Sequence, residues 1–403
     1  MKKNILVISQ YFYPEEFRIN DITKEWIKRG YEVTVITGIP NYPFGKFYEG
    51  YNFFKKNNEI YDGIKVIRLP IVPRGSNSIM LVLNYFSFVL SGFLWSKFTK
   101  VNSDYVFIYE VSPMTQALPG IWFSKRRDIP CITYITDLWP ENVEYVVGLK
   151  NKRIINLIGK MSDYIYNNSA KILTSSNSFI EKINKRGIPK EKLEFWPQYA
   201  EDFYKPILGL DDGEINDKTF YITFAGNIGY AQGLNILPDV AQLLKKDGVD
   251  FCFNIIGDGR YKSTLINSVK EKRVDRYFKF IEKKPATDIP EYFGRSDAAL
   301  ISLADSEVFS ITIPAKTQSC MACGIPIILS ANGEVQKIII EAQAGVVSNA
   351  GDVEKLAQNI KNMANLNDEV LKKMGSNSRE YYIKNFSKKM LLDKVDNWFS
   401  HYK

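Results

Sequence analysis

Short continuous apolar runs recur along the chain, and most are followed by a stretch whose apolar residues repeat at helical spacing. Residues 5–9 (ILVIS) form the first such run. The loop QYFYPEEFRIN follows, then an amphipathic stretch closing at Lys28-Arg29-Gly30, then a second run over 31–37. Runs without polar alternation read as strands buried on both faces, so this opening predicts a βαβ unit of a doubly wound parallel sheet. In such sheets ligands collect beyond the carboxyl ends of the strands. Further strands are predicted over 64–69, 105–109, 131–136 and 171–175, and a boundary near Trp196-Pro197-Gln198-Tyr199 precedes a polar segment, 208–218. A second alternation then begins, with strands over 221–225, 251–256, 279–281, 298–302 and 327–329.

One segment departs from this rhythm. Residues 79–98 are apolar for long enough to cross a bilayer, yet Asn84, Ser87, Ser91 and Gly92 mark a polar or small stripe at helical spacing, and Arg74, Lys97 and Lys100 flank it. Three readings stand side by side: a membrane span, a helix lying in the membrane interface, and a helix packed against the rest of the protein.

Charge adds to this picture. The net +8 sits in the first half, where residues 1–200 hold 27 Lys+Arg against 18 Asp+Glu, while residues 201–403 hold 26 against 27. That asymmetry favours an anionic partner for the first half, a lipid surface or a polyphosphate. A length of 403 residues exceeds what one core of about 250–300 residues organises, which supports two domains. Four cysteines suit a reducing compartment, and the pair Cys320 and Cys323 lacks the further ligands a zinc site needs. The opening MKKNILVISQ runs straight into a strand without a signal-peptide pattern, so a cytoplasmic protein is expected.

Candidate chemistry concentrates in the second half. In SITIPAKTQSCMACGIPIILS, residues 310–330, Thr312 has N-cap chemistry, Pro314 suits a first helical turn, Gly324 ends the helix and Pro326 leads into a strand. A helix start with free amides and Lys316 in its first turn is a ready anion site. A second one follows the strand 221–225, where the glycines of GNIGYAQG (Gly226, Asn227, Gly229, Gln232, Gly233) let backbone approach a phosphate. Gly257-Asp258-Gly259 reads either as a third phosphate turn or as a tight strand-to-helix connection. A nicotinamide enzyme would want GxGxxG after the first strand, and that loop contains no glycine.

Together the stretches TGIPNYPFGKFYEGY, DLWPEN, WPQYAEDF, AGNIGYAQGL and IPAKTQSCMACGIPII resemble glycosyltransferase family 4, most of all its WbuB/WcaI-like branch of bacterial surface-polysaccharide transferases. The resemblance implies an α/β GT-B fold: two Rossmann-like domains facing across a cleft, 1–200 with a returning helix 386–403, and 201–385. It also implies a nucleotide-sugar donor, a UDP-sugar, in the second domain. The first domain would take a sugar on polyprenyl diphosphate, at the inner leaflet of the cytoplasmic membrane. N-acetyl-L-fucosamine is the sugar the branch suggests.

Departures from the family pattern sharpen the expectation. Aligning on CMACG puts Ile311 and Ser319 where many members carry two glutamates, leaving Gln318 or Ser319 to read the ribose, and Gln232 stands where a lysine is usual, leaving Lys316 to supply the charge. His401 is the sole histidine and lies near the end, so no histidine base is expected in the site. Retaining transfer needs none, because the departing diphosphate oxygen can take the acceptor proton. Asp137 is the candidate for orienting the acceptor hydroxyl, against a plain turn-capping role. Arg18, beside Glu15 and Glu16, is a further catalytic candidate, Asn41 and Tyr42 are expected to border sugar or acceptor, and Glu307 to touch donor hydroxyls. No DxD is present and no metal or other cofactor is expected. The alternatives are a UDP-sugar epimerase of the same architecture and an inactive relative acting as a membrane-bound assembly component.

Overall fold

The computed structural model describes residues 3–143, 149, 151–207 and 219–401. The chain divides into two compact units, Met1–Trp196 with Trp398–Lys403, and Pro197–Asn397.

The first unit is built on a sheet of strands β1 (Asn4–Ile8), β2 (Glu32–Gly38), β3 (Asn58–Tyr61), β4 (Ile64–Leu69), β5 (Tyr105–Glu110), β6 (Cys131–Ile135), β7 (Lys171–Thr174) and β8 (Leu193–Phe195). Their order is β3-β4-β2-β1-β5-β6-β7-β8, parallel throughout except for the β3–β4 hairpin. Ile5, Leu6, Val7 and Ile8 in the central strand are wholly buried, which is what a strand covered by helices on both faces requires. The expected runs are all strands. β3 and β8 went unread because one is a half-exposed hairpin partner and the other is three residues long, and neither has a continuous apolar run.

Helices α1 (Arg18–Lys28), α2 (Ser78–Phe98) and α3 (Leu118–Arg127) cover this sheet. α1 buries Ile19, Ile22 and Trp26, and of its charged residues only Lys28 is exposed. α2 does the reverse. It turns Asn84, Tyr85, Phe88, Gly92 and Ser96 inward, while Ile79, Phe86, Leu90 and Phe98 are 63–73% exposed. The inward polar groups are satisfied: Asn84 accepts from Gln10 Nε2 at 2.7 Å and donates to the Val72 carbonyl, and the Ser91 hydroxyl donates to the Pro70 carbonyl. Gly92 is required by close packing, since a Cβ there would lie 2.3 Å from Pro119 Cγ.

The second unit carries β9 (Phe220–Ala225), β10 (Phe251–Ile256), β11 (Phe278–Ile281), β12 (Ala298–Ser302), β13 (Ile327–Ser330) and β14 (Gly345–Ser348) in the all-parallel order β11-β10-β9-β12-β13-β14. Its core packs Phe224, Leu237, Phe253, Leu265 and Leu300 beneath the covering helices. The last helix, Lys388–His401, changes unit near its end. Phe399 is fully buried among Trp26, Tyr31 and Tyr105, and its carbonyl accepts from Lys3 Nζ and the Tyr105 hydroxyl.

Candidate functional site

In the second unit the predicted residues gather at the carboxyl ends of β9, β10 and β12. Gly226 leaves β9 with φ 144° and donates its amide to the Ile256 carbonyl, and Ile228 N–H donates to the Asp258 carbonyl at 2.8 Å. The turn Gly257-Asp258 is thus laced directly beneath the first loop. A Cβ on Gly257 would lie 1.9 Å from the Gly226 oxygen and one on Gly259 2.3 Å from the Ile228 oxygen, so both glycines are demanded by backbone contact. These contacts account for the two glycines as a tight strand-to-helix connection that buttresses the first loop. Asp258 itself is exposed and accepts from the Gly259 amide. Gly233 takes φ 60° where its Cα passes Leu303 and Ala304, tying the loop to the end of β12. Among the described residues the Asn227 and Gly229 amides have no intramolecular acceptor.

Lys316 is the first residue of the helix Lys316–Cys323. Its ammonium is enclosed: it lies 4.0 Å from the centre of the Phe224 ring, donates to Gln232 Oε1, and approaches within 3.6 Å of where a Cβ on Gly226 would stand. The residue keeps some surface, but burial of the amine lowers its pKa to about 8. Gln232, which stands where the family pattern has a lysine, accepts a hydrogen bond from the Lys316 ammonium.

The start of this helix corrects two expectations. Thr312 is not the N-cap; Ala315 occupies that position, and the Thr312 hydroxyl donates back to the Val308 carbonyl at 2.8 Å. The reason is the preceding turn Glu307–Ser310, which presents a carbonyl four residues back before the hydroxyl can reach an amide ahead. Pro314 accordingly precedes the cap instead of sitting in the first turn, its carbonyl accepting from Thr317 N–H. Gly324 closes the helix at φ 68° as expected. Gln318 and Ser319 are buried, Gln318 facing its own backbone and Ser319 also meeting the Tyr204 hydroxyl. The Gln318 amide nitrogen, assigned from its surroundings, donates to the carbonyls of Pro314 and Ala315 at 3.2 Å, and the Ser319 hydroxyl lies 3.5 Å from the Ala315 carbonyl. Glu307 is exposed at the start of its short turn.

The first unit gathers a second set at the ends of β1, β2, β5 and β6. Asp137 Oδ2 accepts from the Ser112 amide at 2.8 Å, which ties the loop after β6 to the loop after β5. Beneath it lies Glu110, the last residue of β5, wholly buried, with neither carboxyl oxygen hydrogen-bonded among the described residues. Burial, and next the charge of Asp137, hold its pKa well above the ordinary carboxyl range. Sequence reasoning passed over Glu110; its one signal was an acid closing the apolar run YVFIY. Arg18 opens α1 beside Tyr134, a buried tyrosine of β6.

Asn41 does not border an open site. It is fully buried, donating Nδ2 to the Ile39 carbonyl and accepting Arg74 N–H on Oδ1, while its amide and that of Tyr42 both donate to Glu15 Oε1 at 2.7 Å. Glu15 is buried and its pKa is raised to about 7, burial outweighing those donated amides. Glu16, its neighbour, is exposed.

Comparison with known proteins gives these geometries a family. Residues 16–198 match the profile of Glycosyltransferase Family 4 and residues 210–381 that of Glycosyl transferases group 1. WcaI of Escherichia coli (strain K12), named for a glycosyl transferase role in colanic acid biosynthesis, is 24% identical over 343 residues, covering 79% of this chain and 81% of WcaI. Sucrose-phosphate synthase from Thermosynechococcus elongatus shares the fold with a TM-score of 0.74 at 15% identity, over 99% of each chain. HepE from Anabaena, solved in complex with UDP and glucose, superposes with a TM-score of 0.69 at 14% identity, over 99% of this chain and 100% of HepE. With each half matched by its own profile and the two parallel-sheet units recurring in these structures, the chain belongs to the glycosyltransferases of GT-B fold, a family 4 domain followed by a group 1 domain.

Proposed function

We propose that the chain is a retaining glycosyltransferase that moves a sugar, with N-acetyl-L-fucosamine the leading candidate, from UDP to a lipid-linked glycan at the cytoplasmic face of the membrane. The observation that carries this reading is the enclosed Lys316 ammonium, held by Gln232 against the Gly226 loop and its free amides. A cation beside unpaired N–H groups stabilises a diphosphate, and it does so most when negative charge grows on the leaving oxygen. In the proposed step the acceptor hydroxyl oxygen bonds to the anomeric carbon as the bond from that carbon to the diphosphate oxygen breaks on the same face. The hydroxyl proton passes to the diphosphate oxygen, and UDP leaves. Asp137, fixed by Ser112 N–H, orients the acceptor hydroxyl. The name of WcaI and the UDP bound to HepE support donor class and setting.

The test begins with a thermal-shift screen of UDP-sugars, UDP-N-acetyl-L-fucosamine among them. With the donor so identified, Lys316→Ala is expected to lower kcat/KM by roughly 10- to 1000-fold, about 1.4–4 kcal/mol of transition-state stabilisation. Near-normal turnover in that variant rejects the role of Lys316.

A further inference from the structure

The loops of the first unit converge on a cation that the transfer reaction, as described, leaves unused. Arg74 precedes α2 by four residues. Its backbone is placed by a relay: Glu15 accepts from the amides of Asn41 and Tyr42, and Asn41 in turn accepts from Arg74 N–H at 2.8 Å. Its guanidinium rests 5.2 Å from the centre of the Tyr42 ring and 3.4 Å from the Tyr11 hydroxyl. Among the described residues no carboxylate pairs with it. A half-buried guanidinium packed between tyrosines is preorganised for an oxyanion, and its preferred bidentate partners are carboxylate and phosphate.

The surroundings decide which. Gly75 packs on the first turn of α2, where a Cβ would lie 2.6 Å from Met80 Cβ, and donates its amide to the Gly45 carbonyl. So Arg74 stands where the outward apolar face of α2, running through Ile79, Phe86, Leu90 and Phe98, meets the loop carrying the exposed Phe44. An unpaired cation at the foot of a hydrocarbon-like strip fits a molecule with an anionic head and an apolar chain. Tyr85, on the inner face of α2, feels both the Arg74 and Asp137 charges, so the cation and the acceptor-orienting carboxylate belong to one loop cluster. That neighbourhood favours the acceptor's own lipid over a bulk phospholipid.

We propose that Arg74 binds the diphosphate of a polyprenyl-linked acceptor, its chain lying with the bilayer along the outer face of α2 and its sugar reaching towards Asp137. This deepens the lipid-linked acceptor reading above and rests on it. The experiment is vesicle flotation of the full chain with phosphatidylcholine alone, with added phosphatidylglycerol, and with undecaprenyl diphosphate at matched charge. Wild type is expected to bind diphosphate vesicles more tightly than phosphatidylglycerol vesicles. Arg74→Gln should lose that preference, its Kd for diphosphate vesicles rising about tenfold, the loss of one charged hydrogen bond, with phosphatidylglycerol binding and calorimetric UDP affinity unchanged. Should Arg74→Gln fail the UDP control by misfolding, Arg74→Lys is read the same way, since an ammonium keeps charge but not the bidentate fork. If the variant binds diphosphate vesicles as wild type does, Arg74 is not the site and the acceptor reading stands. If wild type itself does not distinguish the two anionic lipids while still binding UDP, both the site and the lipid-linked acceptor reading fall.

Discussion

At Lys316, burial bears directly on the proposed diphosphate site. Enclosure by Phe224, Gly226 and Gln232 removes water from the ammonium and lowers its pKa to about 8, so the free protein holds only part of the charge above that pH. A bound diphosphate needs the charge in full. UDP affinity is therefore expected to be flat below about pH 8 and to fall by up to tenfold per pH unit above it, with proton uptake on binding. Calorimetric titration in buffers of differing ionisation enthalpy measures both, and Lys316→Arg should abolish the decline because arginine does not deprotonate in this range. Constant wild-type affinity from neutral pH to well above 8 would contradict this assignment. Thr312, Gln318 and Ser319 carry the opposite lesson: each has a side chain suited to capping or ligand contact, and each is engaged by a carbonyl of its own segment. Short hydroxyl and amide side chains find the nearest acceptor first, and which acceptor is nearest depends on where the preceding turn stops.

At the scale of elements, the two glycine turns of the second unit form one device. Gly226 and Gly257 touch backbone to backbone, and nothing larger than hydrogen fits between them. Gly257→Ala forces a Cβ against a carbonyl at φ 140°, and we expect it to destabilise the second unit by roughly 2–4 kcal/mol and to weaken UDP binding. Gly248→Ala is the matched control: φ is 70° but no atom lies within 4 Å, so the cost should be about 1 kcal/mol with UDP binding retained. Calorimetric unfolding of the two variants side by side measures the difference, and equal losses would refute the backbone-contact argument. The glycine pattern was legible as a phosphate-approach signal, but its division of labour was not. GDG packs directly under GNIG, a contact that follows from strand order, since β9 and β10 are neighbours.

At the scale of the whole molecule, the first half combines a surplus of basic residues with a 21-residue helix whose apolar face points outward. Its carboxyl end adds to the cationic surface, where Arg126 and Arg127 of α3 donate to the carbonyls of Lys97, Thr99 and Val101. The helix has the length and apolarity to cross a membrane, but hydrogen bonds from its inner stripe to Gln10, Pro70 and Val72 bind it to the sheet. A helix lying in the membrane interface, as the proposed function has it, is compatible with both, and so is one that only packs on the sheet. Replacing Phe86 and Leu90 by asparagine is expected to reduce co-flotation with anionic vesicles several-fold without unfolding the chain, and added salt should remove the electrostatic share in either protein. Unchanged partitioning of a folded variant would remove the membrane from this helix's role. Phe88, equally apolar in sequence, is the residue to leave alone: it is fully buried, so its replacement would test the core instead.

What the sequence determined by itself was the rhythm and its consequences: two alternations of buried strand and helix, the resemblance to family 4 carried by particular strings, and the placing of Gly226 and Asp137 at strand ends and of Lys316 at a helix start. Periodicity and turn chemistry are local, acting over a few residues, so they can be read from a single chain. Only the tertiary structure decided that Gln232 holds Lys316, that Asn41 is a buried strut for Arg74, and that an acid at the end of β5 lies under Asp137. Those pairings join residues 84, 33 and 27 positions apart. Such partners are chosen by strand order and by the desolvation each group meets, and neither quantity is a property of any short stretch of sequence.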